Sequence, residues 1–102
     1  MNNSDLVQLN MFGRTHFKRD YIQQMPDNIS GIYMVYQVAQ IDGKEYPTFT
    51  YFGLGNIKDG LLQCLDNQAI YSAAPFQQCA YWEGQSESTF KNIISTFNPK
   101  VK

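Results

Sequence analysis

The sequence is poor in metal-binding side chains, with one histidine, His16, and two cysteines, Cys64 and Cys79. A structural zinc site takes four ligands, usually paired at short spacing, and no such pair occurs in this sequence. We therefore expect no metal and no other cofactor. Two cysteines are enough for one disulfide. Buried, reduced thiols in a cytoplasmic protein are favoured, because residues 1–5 lack the basic and apolar segments of a signal peptide.

Charge and long apolar runs are also scarce. Charged residues make up 17% of the chain, and its net charge is -1. No stretch approaches the roughly 20 apolar residues of a membrane span. Residues 27–87 hold seven acidic residues against two lysines, whereas a protein that grips a phosphate backbone usually presents a basic face. Charge therefore does not favour nucleic acid as the partner, no membrane is expected, and another protein is the favoured partner.

Apolar and aromatic residues, in contrast, are plentiful. They make up 43% and 15% of the 102 residues. A chain of this length fits one domain and can bury a core without metal or disulfide staples. The first ten or so residues show no periodicity. We therefore divide the chain into a poorly ordered N-terminal segment, 1–14, and a single domain, 15–102.

The first half of the chain predicts a short helix followed by a hairpin. Thr15 is placed to cap the helix, whose apolar residues recur at four-residue steps. Residues 31–41 are rich in β-branched and aromatic side chains, and the first of them are apolar on both faces, which indicates a central strand. The dipeptide Asp42-Gly43 is typical of a tight turn, and a return strand runs to Gly53. The helix stripe consists of Phe17, Tyr21 and Met25.

The second half predicts a helix, a strand and a last helix. Asn56 is a good N-cap for a helix over 57–68, and a third strand covers 76–82. Ser86 caps the last helix, whose buried stripe is Phe90, Ile93, Ile94 and Phe97. The element order is (α)ββαβα. The predicted fold class is therefore α+β, with a small central antiparallel three-stranded sheet flanked by helices.

Two tripeptides of the predicted hairpin resemble the motifs of a known family. Gly31-Ile32-Tyr33 lies on the first strand and Tyr51-Phe52-Gly53 on its partner. Asn56-Ile57 and Asn98-Pro99 also stand where that family has similar residues. With the element order over roughly residues 25–101, these features resemble the GIY-YIG nuclease superfamily. The resemblance implies a GIY-YIG-like fold.

The resemblance also implies a set of catalytic positions, and most of them are altered here. In the family, two tyrosines line the active site, an arginine steadies the scissile phosphate, a glutamate holds one divalent metal, and an asparagine lies near the end. Tyr33 and Tyr51 match the tyrosines. The arginine position falls on or beside Gly60, the glutamate position on Phe90, and Lys102 stands about where the asparagine belongs. Phenylalanine offers no oxygen ligand to a hard cation, so we expect no catalytic residues.

The leading hypothesis is a non-catalytic binding or inhibitory protein, for example one encoded by a phage or mobile element. It would act through protein–protein contacts on a nucleic-acid-processing system. One alternative is a divergent metal-dependent endonuclease that uses Mg²⁺ or Mn²⁺ with Tyr33, Tyr51, Lys58 and Glu87. Glu87 lies one helical turn before Phe90, and Lys58 offers a point charge in place of arginine. A second alternative is a non-catalytic nucleic-acid-binding domain that uses the basic ends of the chain.

Candidate contact residues fall into two groups. The hairpin over 34–50 projects beyond the motif region, and its candidates are Tyr36, Lys44 and Tyr46. The second group is aromatic, because tyrosine and tryptophan are enriched at interaction hot spots, and ordinary core and sheet packing is the alternative explanation for it. It consists of Tyr71, Phe76, Tyr81 and Trp82. Near the N-terminus, either a small anion-binding cluster or a solvated face is formed by Arg14, His16, Lys18 and Arg19.

Overall fold

A long β-hairpin is the main feature of the fold. Its strands β2 (Ser30–Ile41) and β3 (Lys44–Asn56) pair antiparallel from end to end in this computed structural model, which describes residues 12–73 and 76–101. At the tip, Asp42 and Gly43 both have positive φ angles, of 53° and 77°, as a two-residue type I′ turn requires. The predicted hairpin and its tight turn are confirmed.

The hairpin belongs to a four-stranded antiparallel sheet with strand order β1-β4-β2-β3. Strand β1 covers Phe12–His16, and β4 covers Gln78–Glu83. The helices are α1 (Arg19–Ile22), α2 (Ile57–Asp66), α3 (Gln68–Tyr71) and α4 (Glu87–Phe97). The predicted α+β class is therefore confirmed. In the part of the chain that the structure describes, no helix is long and apolar enough to cross a membrane.

Strand β1 corrects two predictions, the three-stranded sheet and the end of the poorly ordered segment at residue 14. It pairs with β4 through Thr15–Cys79 and, beyond an irregularity, Phe12–Tyr81. Gly13 lies within that irregularity at φ +62°, and the ring of Tyr81 occupies the place of a side chain there. This bulge interrupts the period-two alternation that marks a strand in a sequence. Residues 1–11 lie outside the described residues.

The predicted helix cap at Thr15 is wrong. Pairing with β4 keeps Thr15 extended, and α1 begins only at Arg19 and ends at Ile22. Of the predicted apolar stripe, Phe17 and Met25 are buried, whereas Tyr21 is exposed. Ile22 is fully buried instead. The predicted helical stripe is wrong because the residues before α1 follow a strand that pairs with β4 and are not part of a helix.

The later helices start where the sequence predicts. The Asn56 side chain accepts a hydrogen bond of 3.0 Å from a backbone N–H in the first turn of α2, and Ser86 accepts one of 3.4 Å in α4. Helix α2 ends at Asp66, short of the predicted residue 68, because Asn67 caps α3 with its own side chain. Strand β4 begins at Gln78, later than the predicted residue 76. Local cap chemistry therefore sets the helix starts.

Helices cover both faces of the sheet. Helices α1, α2 and α3 pack on one face, around Tyr33 and Leu61, which we call the first core. Helix α4 packs on the other face through Ile93, against Met34, which we call the second core. Side chains alternate between the two faces of a strand, so β2 contributes to both cores. Both cysteines are buried in the first core as free thiols.

A buried polar network ties strand β3 to the first core. The register of β2 and β3 shifts at Thr50, which has no partner on β2. Its hydroxyl donates a hydrogen bond to Oε1 of Gln77, and Nε2 of Gln77 donates to the carbonyl of Ile70 at 2.8 Å. The carbonyl of Thr50 accepts a hydrogen bond of 2.8 Å from the N–H of Val101. These bonds join the bulge, α3 and the C-terminal residues.

We expect Gln77→Leu to lower the free energy of unfolding by about 1–3 kcal/mol, because the leucine leaves the buried hydroxyl of Thr50 without its acceptor and removes one of the two hydrogen bonds to the carbonyl of Ile70. The double variant Thr50→Val/Gln77→Leu should lose less free energy of unfolding than Thr50→Val and Gln77→Leu lose in sum. Guanidinium unfolding curves measure both effects. Gln40→Leu, on the exposed hairpin, is the control and should change stability by about 0.5 kcal/mol or less. Strictly additive losses would contradict the network.

Candidate functional site

Tyr33 and Tyr51 lie side by side on the first-core face of the hairpin. Tyr33 pairs with Gly53 on β3, and Tyr51 pairs with Val35, the next residue of β2 on the same face. The two ring centroids are 6.4 Å apart, and the ring planes are inclined by 39°. The structure therefore brings together the two tyrosines that the motifs single out.

The ring of Tyr33 lies against two glycines. A Cβ atom added to Gly53 would be 2.1 Å from Cζ of Tyr33, and one added to Gly60 would be 2.3 Å from Cε1 of the same ring. Both distances are far below van der Waals contact, so a side chain at either position would displace the ring. Glycine stands inside α2, despite its low helix propensity, at the point where the Tyr33 ring approaches the helix. The ring also leaves no room for an arginine at position 60.

A small cleft opens beside the two rings. Its volume is about 100 Å³. Since a water molecule takes about 30 Å³ in the liquid, the cleft has room for a few waters and is too small for a nucleotide. Its lining consists of Tyr33, Tyr51, Gly60, Gln63, Cys64, Asn67 and Ile70.

Burial makes the ionisable groups of this cleft hard to charge. Loss of hydration, with smaller contributions from Tyr51 and Cys64, raises the pKa of Tyr33 to about 12. Burial also raises the pKa of Tyr51, and it raises the pKa of the Cys64 thiol to about 12. At neutral pH these groups are protonated. They can donate and accept hydrogen bonds, but they are poor bases and poor nucleophiles.

The two remaining residues of the alternative nuclease site are held in ion pairs elsewhere. Nζ of Lys58 lies 2.6 Å from Oδ1 of Asp27, and Glu87 pairs with Lys91 at 3.5 Å along α4. Helix α4 packs on the second core, whereas Tyr33 and Tyr51 belong to the first. The structure therefore gathers the tyrosines but places Glu87 in a different helix layer.

The position of the family's metal-binding glutamate also lies in that layer. Phe90 packs against the second core, so its ring contributes to folding. Lys102 lies outside the described residues. Within residues 12–73 and 76–101, no three histidine, cysteine, aspartate or glutamate side chains are close enough together to hold a metal ion.

Two basic residues of the predicted N-terminal cluster, Arg14 and Arg19, are engaged by other side chains. Nε of Arg14 donates a hydrogen bond of 3.0 Å to the hydroxyl of Tyr36, and its Nη2 lies 3.5 Å from Glu45. Arg19 forms an ion pair of 3.1 Å with Asp66. Both arginines are therefore paired with acidic side chains, which weakens the interpretation of this segment as an anion-binding cluster.

Tyr36 has to be removed from the predicted contact residues. It is 0% exposed in the second core, and its hydroxyl donates to Gln78 while accepting from Arg14. Burial on a central strand explains this, because β2 is covered on both faces. Tyr81 and Trp82 are half-buried and pack against the first and second core, respectively. Core packing therefore accounts for much of the predicted aromatic contact group.

The other candidates are more accessible. Lys44 is exposed near the hairpin tip, where Tyr46 is half-buried. Tyr71 is 58% exposed, and Phe76, predicted to begin a strand, precedes β4 with 94% of its surface exposed. These accessible residues remain predicted contacts.

Sequence reasoning missed the packing role of Gly60. A glycine inside a predicted helix is a sign that another part of the protein approaches the helix closely.

Comparison with known proteins identifies no relative. No protein-family model matches the chain, and neither a curated protein nor a solved structure does.

We expect Gly60→Ala to destabilise the protein by about 1–3 kcal/mol, because the added methyl group collides with the Tyr33 ring. Helix propensity alone predicts the opposite sign, a gain of about 1 kcal/mol. Thermal or denaturant unfolding decides between them, with Ser95→Ala at an exposed position of α4, away from the cleft, as the control. The loss should shrink in the background of Tyr33→Leu, whose smaller side chain frees space. A Gly60→Ala variant as stable as the wild type would contradict the packing.

The raised pKa of Tyr33 should make stability depend on alkaline pH. An unfolded tyrosine ionises near pH 10, whereas folded Tyr33 keeps its proton up to about pH 12. Because the unfolded chain releases this proton first, the contribution of Tyr33 to stability is complete below about pH 10 and is lost towards pH 12. Urea unfolding from about pH 8 to pH 11 should therefore show a steeper fall for the wild type than for Tyr33→Phe. Equal slopes would contradict the burial effect.

Proposed function

We propose that this chain is a non-catalytic binding protein on a scaffold related to the GIY-YIG nucleases. It acts through protein–protein contacts, as a partner or inhibitor of a nucleic-acid-processing system. The observation that carries the proposal is the packing of the Tyr33 ring on Gly60. The scaffold keeps the paired tyrosines, but the Tyr33 ring occupies the space of the arginine side chain that would stabilise the charge on the phosphate during cleavage. Folds are often retained while functions change.

The relation to the GIY-YIG fold is supported by topology. The hairpin, α2, β4 and α4 follow one another in the order that the family resemblance implies, and β2 lies between β3 and β4. Tyr33 and Tyr51 are adjacent on one face of that hairpin. Strand β1 extends the sheet beyond β4 without disturbing this arrangement.

The absence of catalysis is supported by the state of the candidate groups. Tyr33, with its pKa raised to about 12, is protonated at neutral pH and cannot readily accept a proton from an attacking water. Phe90 uses its ring in the second core. Glu87 and Lys58 each have a nearby partner of opposite charge. None of these groups is arranged as a pair of base and cation around a substrate phosphate.

A protein partner is favoured over nucleic acid by the pairing of charges. Of the eight lysines and arginines in the sequence, four form ion pairs with acidic residues within the part of the chain that the structure describes. These pairs are Arg14–Glu45, Arg19–Asp66, Lys58–Asp27 and Lys91–Glu87. A phosphate backbone requires several unneutralised cations on one face. Acidic side chains beside both arginines would repel it.

The hairpin tip is the proposed contact surface. Strand β4 stops pairing with β2 at Tyr36, so β2 and β3 continue beyond it as a ribbon that carries Lys44 and Tyr46. Pro47 has no N–H to donate, which disfavours the addition of a partner strand at that edge. Recognition would therefore use side chains of the ribbon rather than its backbone.

The catalytic half of the proposal is tested by incubating plasmid DNA with the protein and Mg²⁺ or Mn²⁺. We expect the wild type to cleave no faster than Tyr33→Phe or Glu87→Gln. Cleavage that both substitutions abolish would establish the nuclease alternative. Affinity for DNA that falls steeply with salt concentration would establish the nucleic-acid-binding alternative.

The binding half is tested by affinity capture from nuclease-treated lysate of the native host, followed by mass spectrometry. We expect the wild type to retain a protein that the double variant Lys44→Glu/Tyr46→Ser loses. Lys100→Glu makes the same charge change away from the hairpin and should retain it. If the hairpin variant and this control capture the same proteins as the wild type, the hairpin is not the contact surface.

A further inference from the structure

A second cleft lies where the start of α1, the end of α2 and α3 meet. Its volume is about 300 Å³, and it shares no lining residue with the cleft beside Tyr33. Phe17 is buried at its base, and the ring centroid of Tyr71 lies 6.4 Å from that of Phe17. The lining consists of Phe17, Lys18, Arg19, Leu65 and Tyr71. The cleft is therefore apolar within and charged at its rim, and it is large enough for an aromatic side chain.

Phe76 stands at the border of this cleft without entering it. The next residue, Gln77, accepts a hydrogen bond of 3.1 Å at its carbonyl from the N–H of Phe17, and its Nε2 lies 3.4 Å from the carbonyl of Tyr71. Phe76 itself is 94% exposed and has a φ of +55°. Residues other than glycine, asparagine and aspartate rarely adopt that conformation, which costs about 1 kcal/mol or more. A strained backbone thus presents a large apolar ring to solvent beside an open apolar cleft.

We propose that the protein forms a two-fold symmetric dimer in which Phe76 of each copy enters the cleft of the other. A two-fold interface requires a patch that is complementary to itself. A protruding ring next to a pocket that can hold it satisfies this requirement. Burial of Phe76 in the second copy offsets the cost of its backbone conformation and explains its exposure in the single chain.

The charges at the rim also fit a second copy. Nη2 of Arg19 lies 3.1 Å from Oδ1 of Asp66, and both side chains are exposed. Exposed ion pairs contribute little on their own, so the two copies can exchange these partners across the two-fold axis without leaving a charge unpaired. A phosphate-rich ligand would instead compete with the Asp66 carboxylate for Arg19. The Arg19–Asp66 pair therefore favours a copy of the same chain over an anionic ligand.

The size of the patch sets the expected strength of the dimer. Aromatic side chains bury about 150–250 Å² each, so Phe76 and Tyr71 together provide a few hundred Å² per copy. A standard interface buries about 800 Å² per partner. The dimer should therefore be weak, with a Kd of the order of micromolar. The proposal uses no hairpin residue and does not depend on the proposed partner function.

Sedimentation equilibrium over about 5–500 µM protein tests the dimer. The mean mass of the wild type should rise with concentration from that of the 11.8 kDa chain towards twice that value and level off there. Phe76→Ser should raise the Kd by about 100-fold or more, because each dimer loses two buried rings. Ile41→Ser also removes an exposed apolar side chain, but at the hairpin tip, and should dimerise like the wild type.

A mixing experiment tests the contact itself. Leu65→Trp fills the cleft and should be monomeric, as Phe76→Ser should be. If the tryptophan variant does not fold, Tyr71→Ser, which removes one ring that lines the cleft, takes its place in the experiment. A mixture of the two monomeric variants can form one of the two ring–cleft contacts, so it should associate measurably where neither variant does alone. The proposal is overturned if the wild type stays monomeric throughout, if Phe76→Ser dimerises normally, if the mass grows beyond the dimer, or if the mixture does not associate.

Discussion

Strand β2 is buried on both faces from Gly31 to Tyr36, and the four helices in the described part of the chain pack onto one or the other of those faces. Its alternate residues supply the first and the second core, so a shift of one position would exchange the two sets and leave both cores mismatched. The hairpin turn and the bulge at Thr50 on one side, and pairing with β4 on the other, fix that register. The position of Tyr33 in the candidate site is a direct consequence, because the register sets Tyr33 opposite Gly53.

The contact between Tyr33, Gly53 and Gly60 links the fold to the proposed function. It allows the hairpin and α2 to approach more closely than side chains at positions 53 and 60 would permit. The same close approach lets the Tyr33 ring fill the places of side chains at these two glycines, and burial raises the pKa of Tyr33 to about 12. Catalysis of phosphodiester cleavage relies on charged groups held around the reacting phosphate. The contact of Tyr33 with Gly60 is therefore the basis of the proposal that this protein acts by binding.

The two proposed contact surfaces lie on different parts of the molecule. The hairpin tip carries Lys44 and Tyr46 on the ribbon beyond β4, whereas Phe76 and its cleft lie beside α3. Because the surfaces share no residue, a dimer formed through Phe76 leaves both hairpin tips available. Such a dimer would present two copies of the hairpin and bind a repeated or symmetric partner more tightly than one copy would.

The sequence by itself determined the features that depend on neighbouring residues. The turn at Asp42-Gly43, the caps at Asn56 and Ser86 and the α+β class follow from chemistry within a few positions of the chain, and so they could be predicted. The contact of Tyr33 with Tyr51 could not be predicted from the turn, because the register set by the turn would place Tyr51 opposite Met34, and only the bulge at Thr50 brings Tyr51 to the face of Tyr33.

Tertiary structure alone decided the features that depend on distant residues. Strand β1 forms because β4, more than sixty residues later, accepts it. The burial of Tyr36, the contact of Tyr33 with Gly60 and the exposure of Phe76 likewise depend on which elements meet in space. A sequence pattern reports the surroundings of a residue along the chain, whereas packing in a core is set by contacts that the pattern does not contain.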